Sequence, residues 1–183
     1  MPNEDLVRRA QAGDREAFDA LMTSAVDRLL GIARMILHDL DAAEDAVQDA
    51  LVRCWQDLPA LRSADRFDAW LHRLLVNAVL DESRRRRRQS RRFAALRWEP
   101  SVTDVSRDLA DRDALENAFA RLSVDHRASI VLHFYLGMNV DQAAAILGIR
   151  VGTAKSRLHY ATRALRAALE ADDRRHSAGE VLA

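Results

Sequence analysis

Residues 81–92 read DESRRRRRQSRR, seven arginines in twelve positions. A guanidinium is a fixed cation with a planar set of N–H donors, so a run of them is chemistry for a polyanion, above all for nucleic-acid phosphate. Arg84, Arg85, Arg86, Arg87 and Arg88 are consecutive, and consecutive residues point all round a helix. They cannot all enter one groove, so they read as a collar on backbone phosphates that adds salt-dependent affinity and little sequence information. A second pattern lies in NVDQAAAILGIRVGTAKSRLHYATRALRAAL. There Val151, Ala154, Leu158, Ala161 and Leu165 fall on one helical stripe, which leaves Thr153, Lys155, Ser156, His159, Tyr160 and Arg163 toward the other side. A third is Asp45, Gln48 and Asp49, spaced i, i+3 and i+4 on one helix face. The two carboxylates repel by about 0.2–0.5 kcal/mol, which folding does not require and a basic partner would offset. A nuclear-localisation-like run is the alternative for the arginines, a plain αα-hairpin for the second pattern and a solvated acidic face for the third.

Catalysis finds no support in residue spacing. The six histidines, at 38, 72, 126, 133, 159 and 176, are scattered, and none has another three or four residues away as helical metal sites require. No glycine-rich phosphate loop occurs. Cys54 lies on an apolar stripe beside Ala50 and Leu51, the setting of a buried, inert thiol. A single cysteine also excludes an internal disulfide framework. We expect no enzyme and no cofactor.

These residues must be positioned by helices. The chain has 183 residues, 49% hydrophobic and 31% charged, with only six glycines and three prolines to interrupt it, and no segment alternates with period two. Asp14 reads as an N-cap, followed by Phe18, Leu21, Met22, Ala25, Leu29, Ile32, Ala33 and Ile36 at helical spacing to about His38. Asp41 and Glu44 have capping-box spacing and open a helix with Val47, Ala50, Leu51, Cys54 and Leu58 on one side, stopped by Pro59. Phe67, Trp70, Leu71, Leu74 and Ala78 define a third helix that runs into the arginines. From Gln89 to Ala110 periodicity fades, which marks a domain boundary. Ser123 caps a further helix whose Ile130, Val131 and Phe134 should face inward, ending at Gly137. Asn139 with Gln142 starts a short helix closed at Gly148, and the polar-faced helix begins near Val151. A short helix, a glycine turn and a second helix with a polar outer face make a helix-turn-helix, the second helix shaped for a DNA major groove. The fold class is all-α.

The formal net charge is zero, yet it is unevenly spread: −6 over residues 1–60, +7 over 61–98, −4 over 99–126 and +3 over 127–183. Two basic blocks separated by acidic ones point to a chain that meets polyanion at two places and another partner between them. The N-terminus lacks the apolar core of a signal peptide, and no apolar run approaches the roughly 20 residues that cross a bilayer. We expect a soluble cytoplasmic protein without membrane insertion.

The succession GDREAFDALM, DAAEDAVQDALVRCWQDL, RFDAWLHRLLVNAVLDESRRRRR, a weak linker, and RLSVDHRASIVLHFYLGMNVDQAAAILGIRVGTAKSRLHYATRAL resembles the extracytoplasmic-function (group IV) sigma factors of bacterial RNA polymerase, over residues 4–169. The resemblance implies two helical domains, 1–92 and 112–172, joined by a linker at 93–111 and followed by a short tail at 173–183. The first would dock on core RNA polymerase and open the promoter's -10 element, and the second would read the -35 element. It implies that Asp45, Gln48 and Asp49 meet the clamp helices of the largest polymerase subunit. It also implies that Arg62, Ser63, Asp65, Arg66 and Phe67 form the loop that holds an unstacked -10 base, with Asn77 and Arg84 to Arg88 on the helix that follows. Capturing such a base costs a few kcal/mol, which aromatic contact and edge hydrogen bonds must offset. Trp70 stands on the Phe67, Leu71 and Leu74 stripe, a core position, with stacking on DNA as the alternative. Lys155, Ser156, His159 and Tyr160 would face -35 bases, and Arg157 and Arg163 would sit on phosphates. Promoter DNA, core polymerase and an anti-sigma factor are the implied partners. A stand-alone helix-turn-helix regulator is the competing function.

Overall fold

The computed structural model describes residues 2–96 and 114–180, and every regular element among them is helical. The order is α1 (Pro2–Gln11), α2 (Arg15–Leu37), α3 (Leu40–Asp57), α4 (Phe67–Leu96), α5 (Ala114–Ala120), α6 (Val124–Ile130), α7 (Val140–Leu147) and α8 (Val151–Glu180). Two 3-10 turns, Leu58–Ala60 and Ala64–Arg66, join α3 to α4, and a π-helical turn, Val131–Tyr135, follows α6. The chain divides into two compact units, Met1–Arg85 and Arg86–Ala183. Most of the expected linker, from residue 97 on, lies outside the described residues, as does the end of the expected tail, 181–183.

The first unit is built on α2, whose Leu21, Met22, Ala25, Leu29, Ile32, Ala33 and Ile36 are buried as the periodicity predicts. Ala17 rather than Phe18 completes that stripe. Phe18 is half-buried and meets Trp55 edge-on, ring centroids 4.8 Å apart. Asp14 caps α2 by accepting from the Ala17 amide at 3.1 Å. That bond, and then its contact with Arg9, holds the Asp14 carboxyl below the usual carboxylate range. Its partner Arg9 lies on α1, an element that the apolar periodicity did not mark. Val7 and Ala10 anchor α1 in the core.

The cap of α3 corrects the sequence reading. His38 ends α2 at φ 55, so the chain turns within two residues and Asp39, in extended conformation, becomes the N-cap. The Asp39 side chain accepts from the Ala42 amide at 2.8 Å, which leaves Asp41 inside the first turn. Ala42, Ala43, Ala46, Val47, Ala50 and Cys54 are buried, while Leu51 is only half so. Alanines at this seam bring α2 and α3 close together. On α4 the buried stripe is Phe67, Leu71, Leu75, Ala78 and Val79, with Leu74 half-buried beside it. Each of the large aliphatic side chains in this core contributes about 1.5–3 kcal/mol by leaving water.

In the second unit Leu122, Ile130, Leu158 and Ala161 form a buried cluster, with Phe119, Val140, Ala164 and Leu165 packed against it. Ser123 caps α6, and the capping box of Asn139 and Gln142 is closed by two 2.9 Å bonds. Gly148 ends α7 at φ 63, a conformation in which a Cβ would be strained. Phe134 is the second correction, since it is 62% exposed where helical spacing put it inward. The Leu136 amide bonds the Val131 carbonyl five residues back, and the wider turn rotates Phe134 outward while Leu132 enters the core.

Candidate nucleic-acid interface

α8 presents the polar face that its sequence predicts. Ala154, Leu158 and Ala161 are buried, while Thr153, Lys155, Ser156, His159, Tyr160 and Arg163 are exposed. The short α7 and its glycine turn hold the start of α8, so that its first four turns project this face. Ser156 donates to the Gly152 carbonyl at 3.0 Å, which fixes its hydroxyl and leaves its oxygen free to accept. Arg157 is set apart from the others. It is half-buried and pairs with Asp125 of α6 at 3.3 Å. Sequence reasoning missed His126, also on α6, whose ring stacks on Tyr160 with centroids 4.8 Å apart and an interplanar angle of 25°. His126 lines the same open concavity as Thr153, Lys155, Ser156, His159 and Tyr160. Nothing in the spacing of residues 126 and 160 could have revealed that pair.

In the first unit Asp45, Gln48 and Asp49 are all exposed on α3. Leu40, Val52 and Trp55 of the same helix are exposed apolar residues, at 47%, 50% and 41%. The loop after α3 is tied down from α1, because the Gln11 amide donates to the carbonyls of Leu58, at 3.2 Å, and Leu61, at 2.7 Å. Within the loop Arg62, Asp65 and Arg66 are exposed and Ser63 is half-buried. Ser63 donates to Asp65, a bond that lowers the Asp65 carboxyl below its ordinary range. Phe67 is the exception among the expected loop contacts. It is 3% exposed, 6.0 Å from the half-buried Trp70, and it roots α4 in the core rather than facing outward.

Asn77 is half-buried, seven residues after Trp70, and Arg84 follows seven later, so the three lie near one side of α4. The arginine run is not uniform. Arg84 pairs with Asp81 at 3.0 Å. Arg85 pairs with Glu82 at 2.6 Å and with Asp45 of α3 at 3.4 Å. Glu82 is only 5% exposed, so Arg85 supplies the charge that a nearly buried carboxylate needs. Arg87 and Arg88 are exposed and form no ion pair with another described residue. Cys54 is fully buried, and burial pushes its thiol up to about 12, which makes it inert. Among the described residues no histidine, cysteine and carboxylate cluster could hold a metal, and no helix is long and apolar enough to cross a membrane.

Comparison with known proteins decides what these two surfaces belong to. Residues 21–89 match the family described as Sigma-70 region 2, and residues 112–165 match Sigma-70, region 4. The ECF RNA polymerase sigma factor SigL of Mycobacterium tuberculosis is 36% identical over 172 residues, 87% of this chain and 94% of that protein. The chain belongs to the extracytoplasmic-function sigma factors of the sigma-70 family. SigM of the same species is 34% identical over 85% of this chain and 78% of its own length, and SigW of Bacillus subtilis 25% over 87% and 92%. Among solved structures, the sigma factor RpoE of Bartonella quintana, in complex with the anti-sigma factor NepR, aligns with a TM-score of 0.66 at 28% identity, covering 85% of this chain and 98% of its own. CnrH, in complex with the cytosolic domain of CnrY, aligns with a TM-score of 0.63 at 29% identity over 93% and 98%. This sigma factor therefore directs RNA polymerase to promoters, and the region 2 match over residues 21–89 favours that function over a stand-alone regulator. Sigma factors are initiation factors rather than enzymes.

Proposed function

We propose that this sigma factor acts in the cytoplasm through three surfaces divided between domains at 1–92 and 112–172. Asp45, Gln48 and Asp49 dock on the clamp helices of core polymerase. Arg62, Ser63, Asp65, Arg66 and Asn77 serve the -10 element, where Ser63 and Asp65 shape the loop and Phe67 anchors its end. Arg84 to Arg88 meet the DNA backbone along the same helix, Arg87 and Arg88 foremost, since Arg84 and Arg85 already hold carboxylates. Thr153, Lys155, Ser156, His159 and Tyr160 face the -35 element, with Arg163 on phosphate and Arg157 held at the edge by Asp125. An anti-sigma factor is the regulatory partner, in keeping with the complex of RpoE with NepR.

The observation that carries this reading is the two-sidedness of α8: an apolar stripe sunk in the core of its unit and an unbroken polar face opposite. A helix held in this way enters a major groove with fixed register. The test is promoter-specific initiation by the purified chain with core polymerase on a library randomised at the -35 element. Lys155→Ala should change the preferred base at one position and cost about 1–3 kcal/mol of discrimination. Unchanged preference would remove Lys155 from base readout.

A further inference from the structure

We infer that His126, on α6 and outside the helix-turn-helix, is a positioning residue for -35 recognition, because it holds the ring of Tyr160 in place on the DNA-facing surface. The inference rests on the assignment of Tyr160 to that surface. Tyr160 is 61% exposed, and an exposed aromatic ring on a helix ordinarily samples several rotamers that binding must then reduce to one. Here it does not stand alone, since the His126 imidazole lies nearly parallel to it at 4.8 Å. Offset stacking of this kind contributes beyond the area it covers.

His126 is itself fixed from behind. Its backbone amide donates to the Ser123 hydroxyl at 3.3 Å, and the same oxygen lies 2.9 Å from Nδ1 of the ring. One serine thus caps α6 and sets the imidazole plane. The hydroxyl both accepts from the amide and bonds Nδ1, so the ring is held at that nitrogen whichever of the two carries the hydrogen. The other groups facing the ring are Asp125 on its own helix and Arg157 on α8, paired to each other at 3.3 Å. Burial first, then Arg157, lowers the imidazole below its ordinary value, and Asp125 opposes them. A neutral ring stacks on Tyr160 without placing an unpaired charge beside Arg157.

The result is a relay of fixed geometry, from the Ser123 cap to the His126 plane to the Tyr160 ring. Ordering Tyr160 before DNA arrives removes an entropy cost from binding and restricts which base the ring can accept. Sequence spacing within the helix-turn-helix cannot express this, because the support comes from the helix before it.

The experiment uses the full chain with core polymerase, the library randomised at the -35 element, and the thermal midpoint of each variant. His126→Ala should relax discrimination at the same position as Tyr160→Ala, by about two- to tenfold, the range of an aromatic pair. The double variant should be no worse than Tyr160→Ala alone, and His126→Phe, which keeps a stacking ring, should restore the wild-type preference. Three results overturn the inference: wild-type preference in His126→Ala, an equal loss on every promoter with a lowered midpoint that His126→Phe does not rescue, or no change on Tyr160→Ala. If Lys155→Ala shifts preference while any of these holds, the recognition face stands and only the role of His126 falls. If Lys155→Ala and Tyr160→Ala both leave preference unchanged, the recognition face falls and the inference with it.

Discussion

His72 lies on α4 with 7% of its surface exposed, and its Nε2 has no hydrogen-bond partner. An imidazole nitrogen taken out of water without a partner costs stability, and protonating it there would cost more. Burial therefore pushes its pKa below the ordinary value of 6.5, the Arg28 guanidinium adds to that push, and Asp68 opposes it. Arg28 and Asp68 are themselves paired at 3.1 Å, which weakens the carboxylate's ability to attract a proton to the ring. The sign follows from proton counting. Between the depressed folded value and 6.5 the unfolded chain binds more protons than the folded one, so stability is full above 6.5 and declines as pH falls through that window. Denaturant unfolding of the first unit should thus show His72→Phe gaining on the wild type as pH drops from 8 to 5, with little difference at pH 8 beyond packing. A gap between the two proteins that stays constant with pH would show that His72 does not titrate in this way. The scattered histidines of the sequence thus have distinct uses once folded. His72 is buried with its Nε2 unbonded, and His126 supports a neighbouring ring.

Helices account for what was legible. The stripe of α2, the Asn139 and Gln142 box and the Gly148 end were all readable, because each is fixed by contacts within a few residues of chain. Errors arose where a contact from another element, or a change of helical pitch, decided the outcome. Asp39 rather than Asp41 caps α3 because His38 ends α2 in a left-handed turn, and Phe134 points outward because the π-helical turn breaks the 3.6-residue period. The arginine run shows the same limit at the candidate site. Its composition announced phosphate binding, but only tertiary structure shows Arg85 held between Glu82 of its own helix and Asp45 of α3. Exposed pairs are weak and exchange readily, whereas the Glu82 pair guards a carboxylate that is 5% exposed. The two ends of the run should therefore behave differently. Replacing Arg87 and Arg88 by Gln should flatten the salt dependence of promoter binding by about 0.7–0.9 in log–log slope per lost contact, similarly for all promoters, with an unchanged thermal midpoint. Replacing Arg84 and Arg85 should change the slope less and lower the midpoint, because the nearly buried Glu82 loses the Arg85 pair. Equal slope losses from the two pairs of substitutions would show that the carboxylates do not restrain Arg84 and Arg85.

For the whole molecule, a zero net charge composed of blocks of −6, +7, −4 and +3 reconciles two demands on a sigma factor. On the proposed division of surfaces it contacts DNA at two places yet binds it mainly as part of the polymerase, and acidic surface elsewhere discourages the free chain from coating DNA. α3 lies within the acidic first block and carries Asp45, Gln48 and Asp49 exposed on its surface. Near a helix N-terminus carboxylates are welcome, but that effect fades within the first turn, and Asp49 lies well beyond Leu40. Asp45 and Asp49 repel each other mildly at i, i+4, and the Arg85 pair relieves only the first of them. The proposed docking would set the remaining charge against a basic partner on the polymerase. Gln48→Ala with Asp49→Lys should leave the helical circular dichroism and the thermal midpoint close to wild type, since both side chains are exposed and neither caps a helix. The same double variant should lose co-elution with core polymerase and with it initiation at every promoter, a pattern unlike Lys155→Ala, which shifts preference among promoters. The wild-type interaction should weaken as salt rises, because charge complementarity acts on encounter as well as on the bound state. Full initiation by the folded double variant would place the docking surface elsewhere, and the exposed Val52 and Trp55 of the same helix would be the next residues to replace.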